Sequence, residues 1–505
     1  MDAAADITKV PLAYQALLFS IYTTAVISLT SQEAVQLLGT TREEALNRFT
    51  RGTKLALTRS NFMKNYNMTI LQALLLYMVS LTGPVENHSI WIMSGTVMRI
   101  AQKMGYHRDG EQFNLSPFET EMRRRIWWHV VTQDSRYAML SGLSHAWVAQ
   151  NWDTKMPQNL NDEDLSPNSM KPLVPRSGPS EMVFVLMTYH YQRFTDRSHR
   201  DFEDAFLALR NGNKGDVQQQ QQQVPGPIEK YRALVDQLDI ELATFEREYV
   251  DPAAGPIQEA AAMVRPLFIQ KMRNIMVPLS ERPEYGTEIF DQLDGLLNSF
   301  VTSHLKSAAA YKRLAELGFT WFVRAGFHLD AMPLFTAKLY KRPMGNLTER
   351  AWIVFGSLHD LRPDLFDISQ KKIERQAQFT LKAWAAREQA LAQVGKQVEV
   401  PEFVQRLRSL MSSSRTGSLY TTSSGSPTTG SQQFLVQQTS PYQPMSLDPR
   451  DMSQYLGTNM NTPNFSLDMW GNLMMDNDDN SAEDALPFGA FDFSKLDFSS
   501  MEFTG

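Results

Sequence analysis

The 505-residue sequence contains no cysteine. That absence excludes a disulfide framework, a thiolate zinc site and a thiol nucleophile. Phosphate-cradling glycine loops are missing too, because Gly95, Gly105 and Gly110 have the wrong spacing for a dinucleotide or Walker site. There is no HExxH pair and no serine nucleophile elbow, and the histidines are scattered. Basic charge is scarce. Of a net charge of −6, the stretch Ser466 to Gly505 holds nine acidic residues against one basic residue, Lys495. The remainder is close to neutral, whereas a chain that binds DNA by itself needs a basic patch to neutralise phosphates. The opening MDAAADITK lacks the basic start of a signal peptide. Val10 to Gln32 is free of charge over about the length of a membrane span. It is nevertheless rich in Ser, Thr and Gln. Its apolar residues Leu17, Leu18, Ile21, Ala25, Val26 and Leu29 fall near one helical stripe. It therefore reads as a helix that buries this stripe, not as a membrane anchor.

What is present is mostly helical pattern. The apolar fraction of 43% and charged fraction of 21% are those of a globular chain. From Pro11 to about Gly395 the sequence predicts an all-α fold, one large multi-helix domain behind a short lead, residues 1–10. Thr41 and Glu44 form a capping-box pattern. Met68–Leu81 reads as a buried helix. A helix from about Ser89 to Met104 is stopped by Gly105. Ser116, Pro117 and Glu119 combine three helix-start signals, and the helix they open runs to about Ser141. Phe118, Met122, Ile126, Val130 and Tyr137 share one face of it. Asn151 to Pro179 is an irregular connection. Helices follow over 181–210, 228–249, 260–276, 286–318 and 371–393, with further apolar segments over 318–338 and 347–357. They are interrupted by a Gln-rich insert, 211–227, whose composition predicts disorder. Strand alternation is scarce.

Beyond the helices the composition shifts twice. Residues 396–465 read as a Ser/Thr/Gln/Pro-rich linker unable to bury a core. Residues 466–505 interleave acids with Trp470, Phe488, Phe491, Phe493, Leu496, Phe498 and Phe503. Mutual repulsion of the carboxylates keeps the aromatics in solvent and open to a partner's groove. This is the composition of a transcriptional activation segment that engages a coactivator. The bland alternative is a tail that docks on the body through its phenylalanines.

Other motifs read as structural. Arg123-Arg124-Arg125 lies inside a helix, with Glu121 four residues before Arg125 for a surface ion pair and with Asp134 and Arg136 nearby. His107-Arg108-Asp109 resembles a catalytic trio but sits in a turn. Asn161-Asp162-Glu163-Asp164 and Asp476 to Asp479 are acidic enough for magnesium. A helical enzyme of specialised metabolism would need such carboxylates on helices facing an apolar cavity. Neither group meets that requirement, so no catalytic, cofactor or metal residue is assigned and the chain is read as a non-enzyme.

The stretch SGTVMRIAQKMGYHRDG, SPFETEMRRRIWW, DSRYAMLSG and MPQNLNDEDLSP, running from Ser94 to Pro167, resembles the fungal-specific transcription factor domain. PLAYQALLFSIYTTAVISLTSQEAVQLLG resembles its start. The resemblance implies an all-α regulatory fold between a six-cysteine, two-zinc DNA-binding cluster and an activation segment, working in the nucleus. The zinc ligands have no matching positions here, so zinc is implied only if a cluster precedes the sequence. Either an upstream cluster is missing from this chain, or DNA is reached through a DNA-bound regulator or a second copy held by the helical body. Control of a specialised-metabolite gene cluster is the expected role. A scaffold or decoy that sequesters full-length regulators is the open alternative.

Overall fold

A computed structural model of the chain describes residues 9–81, 87–141, 151–167, 170–211, 225–325 and 331–418. Across them the expected all-α architecture is borne out, and the only strand-like feature among them is an isolated bridge between Tyr285 and Ile289. The helices are gathered around two hydrophobic cores.

The first core is built by α1 (Leu12–Ser28), α2 (Ser31–Leu38), α3 (Arg42–Arg59), α4 (Met68–Leu81), α5 (Asn87–Lys103) and α6 (Pro117–Leu140). Capping boxes start both α2 and α3: Thr30 with Glu33, and Thr41 with Glu44. The second was expected from the sequence. As expected too, α4 is buried nearly all round, through Ile70, Leu71, Leu74 and Met78 among others. Trp127 of α6 is fully buried, and Trp152 meets Trp127 and Trp128 edge-on with ring centroids 5.9 and 5.3 Å apart.

Helix α1 corrects one expectation. Ala16, Ser20, Thr23, Val26 and Ile27 face the interior, whereas Tyr14 and Ile21 are 52% and 43% exposed and Ala25 is exposed as well. The apolar stripe is thus only partly buried: Val26 is inside, Leu17, Leu18 and Leu29 are half-buried, and Ile21 and Ala25 lie outside. Small residues win the inner face because they let α1 approach its neighbours closely. Gly52 of α3 lies against Phe19, where a Cβ would stand 2.9 Å from the ring. The Ser20 and Thr23 hydroxyls bond back to the carbonyls of Leu17 and Phe19, each at 2.8 Å, so their burial leaves no donor unmet. Arg42 locks the pair by donating to the carbonyls of Val26 and Ile27.

The second core is built by α7 (Val183–Asn211), α8 (Pro227–Tyr249), α9 (Pro256–Ile275), α10 (Gln292–Glu316), α11 (Thr320–Ala325), α12 (Met332–Lys341), α13 (Asn346–Leu361), α14 (Lys371–Gln393) and α15 (Glu402–Ser418). Helix α7 serves both cores. Val183, Phe184 and Met187 enter the second, while Met182, just before its first turn, Leu186 and Tyr189 enter the first. Two boundaries differ from the sequence reading. Residues 286–291 are not helical, because α10 begins only after Asp291, whose side chain caps it by accepting from the Asp294 amide. The helical body also passes the expected linker start at 396. Helix α15 buries Phe403, Val404 and Leu407 in the second core at a period of three to four, and Arg408 binds Glu388. Phe403 stacks on His359 with centroids 4.6 Å apart.

Four histidines lie within the packed body: His129, His190, His304 and His359. Burial holds each near about 4, with Arg136 adding to the effect at His129 and Arg193 at His190. The unfolded chain takes up these protons near about 6.5. The contribution of the four is therefore fully present above that value and is lost as pH falls from about 6.5 towards about 4. Asp196, pushed up to about 6 by burial, opposes this in part. Urea unfolding at pH 7 and pH 4.5 should show a loss on the order of several kcal/mol. Equal stability at the two values would contradict the assignment.

Candidate functional site

The segment with the strongest motif content folds into a latch at the edge of the first core. Helix α5 ends before Gly105, whose φ of +77° turns the chain in a way that side chains resist. A 3-10 turn, Gly110–Phe113, follows, with Asp109 capping it through the Glu111 amide. Gly110 is pressed on α6, since a Cβ there would stand 2.6 Å from the Thr120 hydroxyl and 3.0 Å from its Cα. Ser116 caps α6 and Pro117 opens it. The Glu119 carboxylate binds Arg123 rather than the cap amide, so only half of the expected box forms.

Arg124 projects from α6 onto Asp109. Its Nε and Nη2 donate to the two carboxylate oxygens, each at 2.8 Å, and both side chains are about 95% buried. Nη2 also reaches Glu111 at 2.7 Å. Asp109 accepts in addition from the Lys155 amide at 2.9 Å. The returning chain is stitched down along its length. The Asp153 carboxylate accepts from the Asp109 amide at 2.8 Å, the Thr154 hydroxyl donates to the Tyr106 carbonyl at 2.7 Å, and Trp128 Nε1 donates to the Lys155 carbonyl at 3.0 Å. One turn before Arg125, the Glu121 carboxylate accepts from Arg125 and from the Gln158 amide.

Burial pushes the Asp109 carboxyl up, but the bonds from Arg124 and from the Lys155 and Glu111 amides outweigh it and hold it below the usual range. Arg124 is raised in the matching sense: burial works against its charge, and Asp109 and Glu111 prevail. Glu121 differs, since burial dominates there and raises it despite Arg125. Asp134 is also raised by burial, offset in part by Ser94.

This geometry decides among the sequence motifs. Arg123, Arg124 and Arg125 are engaged by Glu119, by Asp109 and Glu111, and by Glu121 and Asp162 respectively, so the run is structural, as its helical setting suggested. Glu121, only 1% exposed, makes its pair an interior one, not the expected surface pair. Asp134 does not join the run and accepts the Ser94 hydroxyl at 2.7 Å instead. The trio is dispersed, with Asp109 on Arg124 and Arg108 on Asp153. The acids Asp162, Glu163 and Asp164 are taken up by Arg125 and Arg176. Among the described residues no cluster of three or more His, Asp or Glu is placed to hold a metal ion. None of the described helices is long and apolar enough to cross a membrane. Trp470, Phe488, Phe491, Phe493, Leu496, Phe498 and Phe503, like Asp476 to Asp479, lie outside the described residues. The Asp109–Arg124 pair was not legible as a pair, because a separation of 15 matches no local period. The signals within reach were an acid just past a helix-stopping glycine and an arginine two turns into the next helix.

A multi-helix body of two cores, with its motif charges paired internally and no three-residue metal cluster among the described residues, is the class these observations define. Residues 8–210 match the fungal specific transcription factor domain, so this stretch is homologous to the middle domain of fungal regulators. The chain is 35% identical over 404 residues to the pyriculol/pyriculariol biosynthesis cluster transcription factor 1 of Pyricularia oryzae, covering 79% of this chain and 52% of that protein. It is 26% identical to the aurofusarin cluster transcription factor aurR2 of Gibberella zeae, over 77% of this chain and 56% of that protein. Transcriptional regulator nsrM of Aspergillus novofumigatus is 27% identical, over 83% and 56%. The chain spans about half the length of these curated relatives. They are transcription factors or regulators, not enzymes, and the chain is related to regulators of fungal biosynthesis clusters. No solved structure matches it.

Removing one partner of a buried ion pair strands the other charge. Asp109→Asn should therefore lower stability by about 3–5 kcal/mol. The double variant Asp109→Asn/Arg124→Met should lose less than the two single losses combined, as coupled neighbours do. Denaturant unfolding of the four proteins measures this. Strict additivity would show that the pair does not hold the latch.

Proposed function

We propose that this chain is a nuclear regulator of a fungal specialised-metabolite gene cluster, and that it acts as an activator. The relationship to cluster transcription factors over 79% of the chain carries the reading. A match of 404 residues is about twice the length of the stretch 8–210, so the similarity to such a regulator extends well beyond that stretch. The acidic aromatic stretch 466–505 supports the choice of activation. Its carboxylates keep the aromatics hydrated, and the aromatics supply the apolar anchors that a coactivator groove selects. The helical body contacts a DNA-bound regulator or a second copy. DNA contact comes from that partner or from a zinc cluster encoded upstream of the present residues. The arginine run Arg123–Arg125 does not supply that contact, because it is consumed internally.

Fused to an unrelated DNA-binding domain, residues 466–505 should activate a reporter. Phe491→Ala, Phe493→Ala and Phe498→Ala together should reduce that activity by about tenfold or more, since a few aromatic anchors carry most of such binding. Full activity in the triple variant would remove the aromatic mechanism. A silent fusion would favour the decoy reading, in which the body sequesters full-length regulators.

A further inference from the structure

Two rows of side chains run side by side on the outer surface of the first core. On α1, Tyr14, Leu18, Ile21 and Ala25 follow one another at helical spacing, Leu18 half-buried and the others exposed. On α3, Arg48, Arg51, Leu55 and Arg59 form a second row, all exposed. Each row is about three turns long. Phe19 lies on Gly52 and the Tyr22 ring stands 5.5 Å from that of Phe49, so the helices run flank to flank in opposite directions and the rows stand level. Phe19 and Tyr22, both half-buried, form a floor between them. The floor is low because residue 52 is glycine: a Cβ there would stand 2.9 Å from the Phe19 ring. The result is a shallow apolar groove with one basic bank, and no described residue covers it.

The basic bank has no acid of its own. No Asp or Glu occurs from Val10 to Gln32 or from Ala45 to Val85. Arg48, Arg51 and Arg59 accordingly have no ion pair among the described residues. Elsewhere on the body arginines are met by acids, as Arg265, Arg273 and Arg313 are. Unpaired arginines beside an apolar row are the complement of a ligand that is apolar along one stripe and acidic along its edge. A groove between two helices is shaped to seat a third. Nucleic acid would meet the arginines but leave Tyr14 and Ile21 in water. A bilayer is flat and would not reach the floor at Phe19 and Tyr22. The same face of a second copy brings arginines against arginines. We propose that the α1–α3 groove binds an acidic amphipathic helix of a separate protein, its apolar stripe along Tyr14, Leu18 and Ile21 and its carboxylates against Arg48, Arg51 and Arg59. This gives the chemistry of the partner contact assigned above to the helical body. Its regulatory use rests on that reading; the binding does not.

The probe is a labelled synthetic helix of about five turns, with leucines every three to four residues along one stripe and glutamates on its flanks. A shuffled peptide of the same composition, which has no stripe, is the control. Fluorescence anisotropy with the full chain should show the striped peptide binding at least about tenfold more tightly than the shuffled one, and weakening as salt rises. Arg48→Glu/Arg59→Glu and Tyr14→Gln/Ile21→Gln, all at exposed positions, should each weaken it by about tenfold or more while the thermal transition stays in place. Lys306→Glu/Lys312→Glu, exposed on α10 of the second core, should leave it unchanged. Equal binding of the two peptides, or full affinity in both α1 and α3 variants, overturns the proposal. Phosphatidylserine vesicles or duplex DNA that bind the native chain, lose it in Arg48→Glu/Arg59→Glu and find the striped peptide unbound would assign the face to a membrane or to nucleic acid and overturn it as well. A fusion of 466–505 that fails to activate leaves this result untouched and sinks only the activator reading.

Discussion

The bidentate contact of Arg124 with Asp109 is the constraint on which the arrangement depends. It joins the turn after α5 to α6, and Asp109 in turn receives the amide of Lys155 on the returning chain. From there residues 151–160 are bonded to 106–109 and to Trp128 and Glu121. The Ser180 hydroxyl then donates to Asn159, and the Ser180 carbonyl accepts from Gln258 of α9 at 2.7 Å. A single buried charge pair thus begins a chain of contacts that delivers α7 to its place. Its burial is tolerated because every charge is met by several bonds.

Helix α7 explains why the domain match and the wider relationship have different extents. The matched domain, 8–210, closes on α7, which contributes Met187 to one core and Leu186 to the other. A helix hydrophobic on both sides cannot stay in water without its second partner. The second core is therefore a physical requirement of the first. The relationships to whole regulators accordingly extend beyond residue 210, over 79% and 83% of the chain. Within the second core Arg387, almost fully buried, ties α14 to α13 by binding Glu349 and the Pro343 carbonyl.

Local signals were legible where one element decides them. Thr41 with Glu44, Ser116 with Pro117 and Gly105 fix helix ends by short-range bonds or backbone freedom, and Lys371–Gln393 matches its expected span residue for residue. The inner face of α1 was not legible, since hydrophobicity alone chooses Ile21 and Ala25 over Ser20 and Thr23. Only the close approach of Gly52 to Phe19 reverses that choice. Helix α15 was hidden in the same way: serines dominate its end, while the few residues that bury it, Phe403, Val404 and Leu407, lie beyond the expected boundary. At the latch the partners were all visible, but the pairings over 15 to 48 residues follow from tertiary geometry.

The helical body is held by one internal latch, and the sequence adds an acidic aromatic stretch over 466–505. Both suit the proposed role of a regulator whose DNA contact comes from a partner or from a zinc cluster. Chromatin immunoprecipitation of the tagged native protein, with transcript profiling of a strain lacking it, tests the central claim most directly. The account predicts enrichment at the promoters of a contiguous biosynthetic gene cluster and loss of those transcripts in the deletion strain. Absence of enrichment at any promoter together with unchanged transcripts would contradict it.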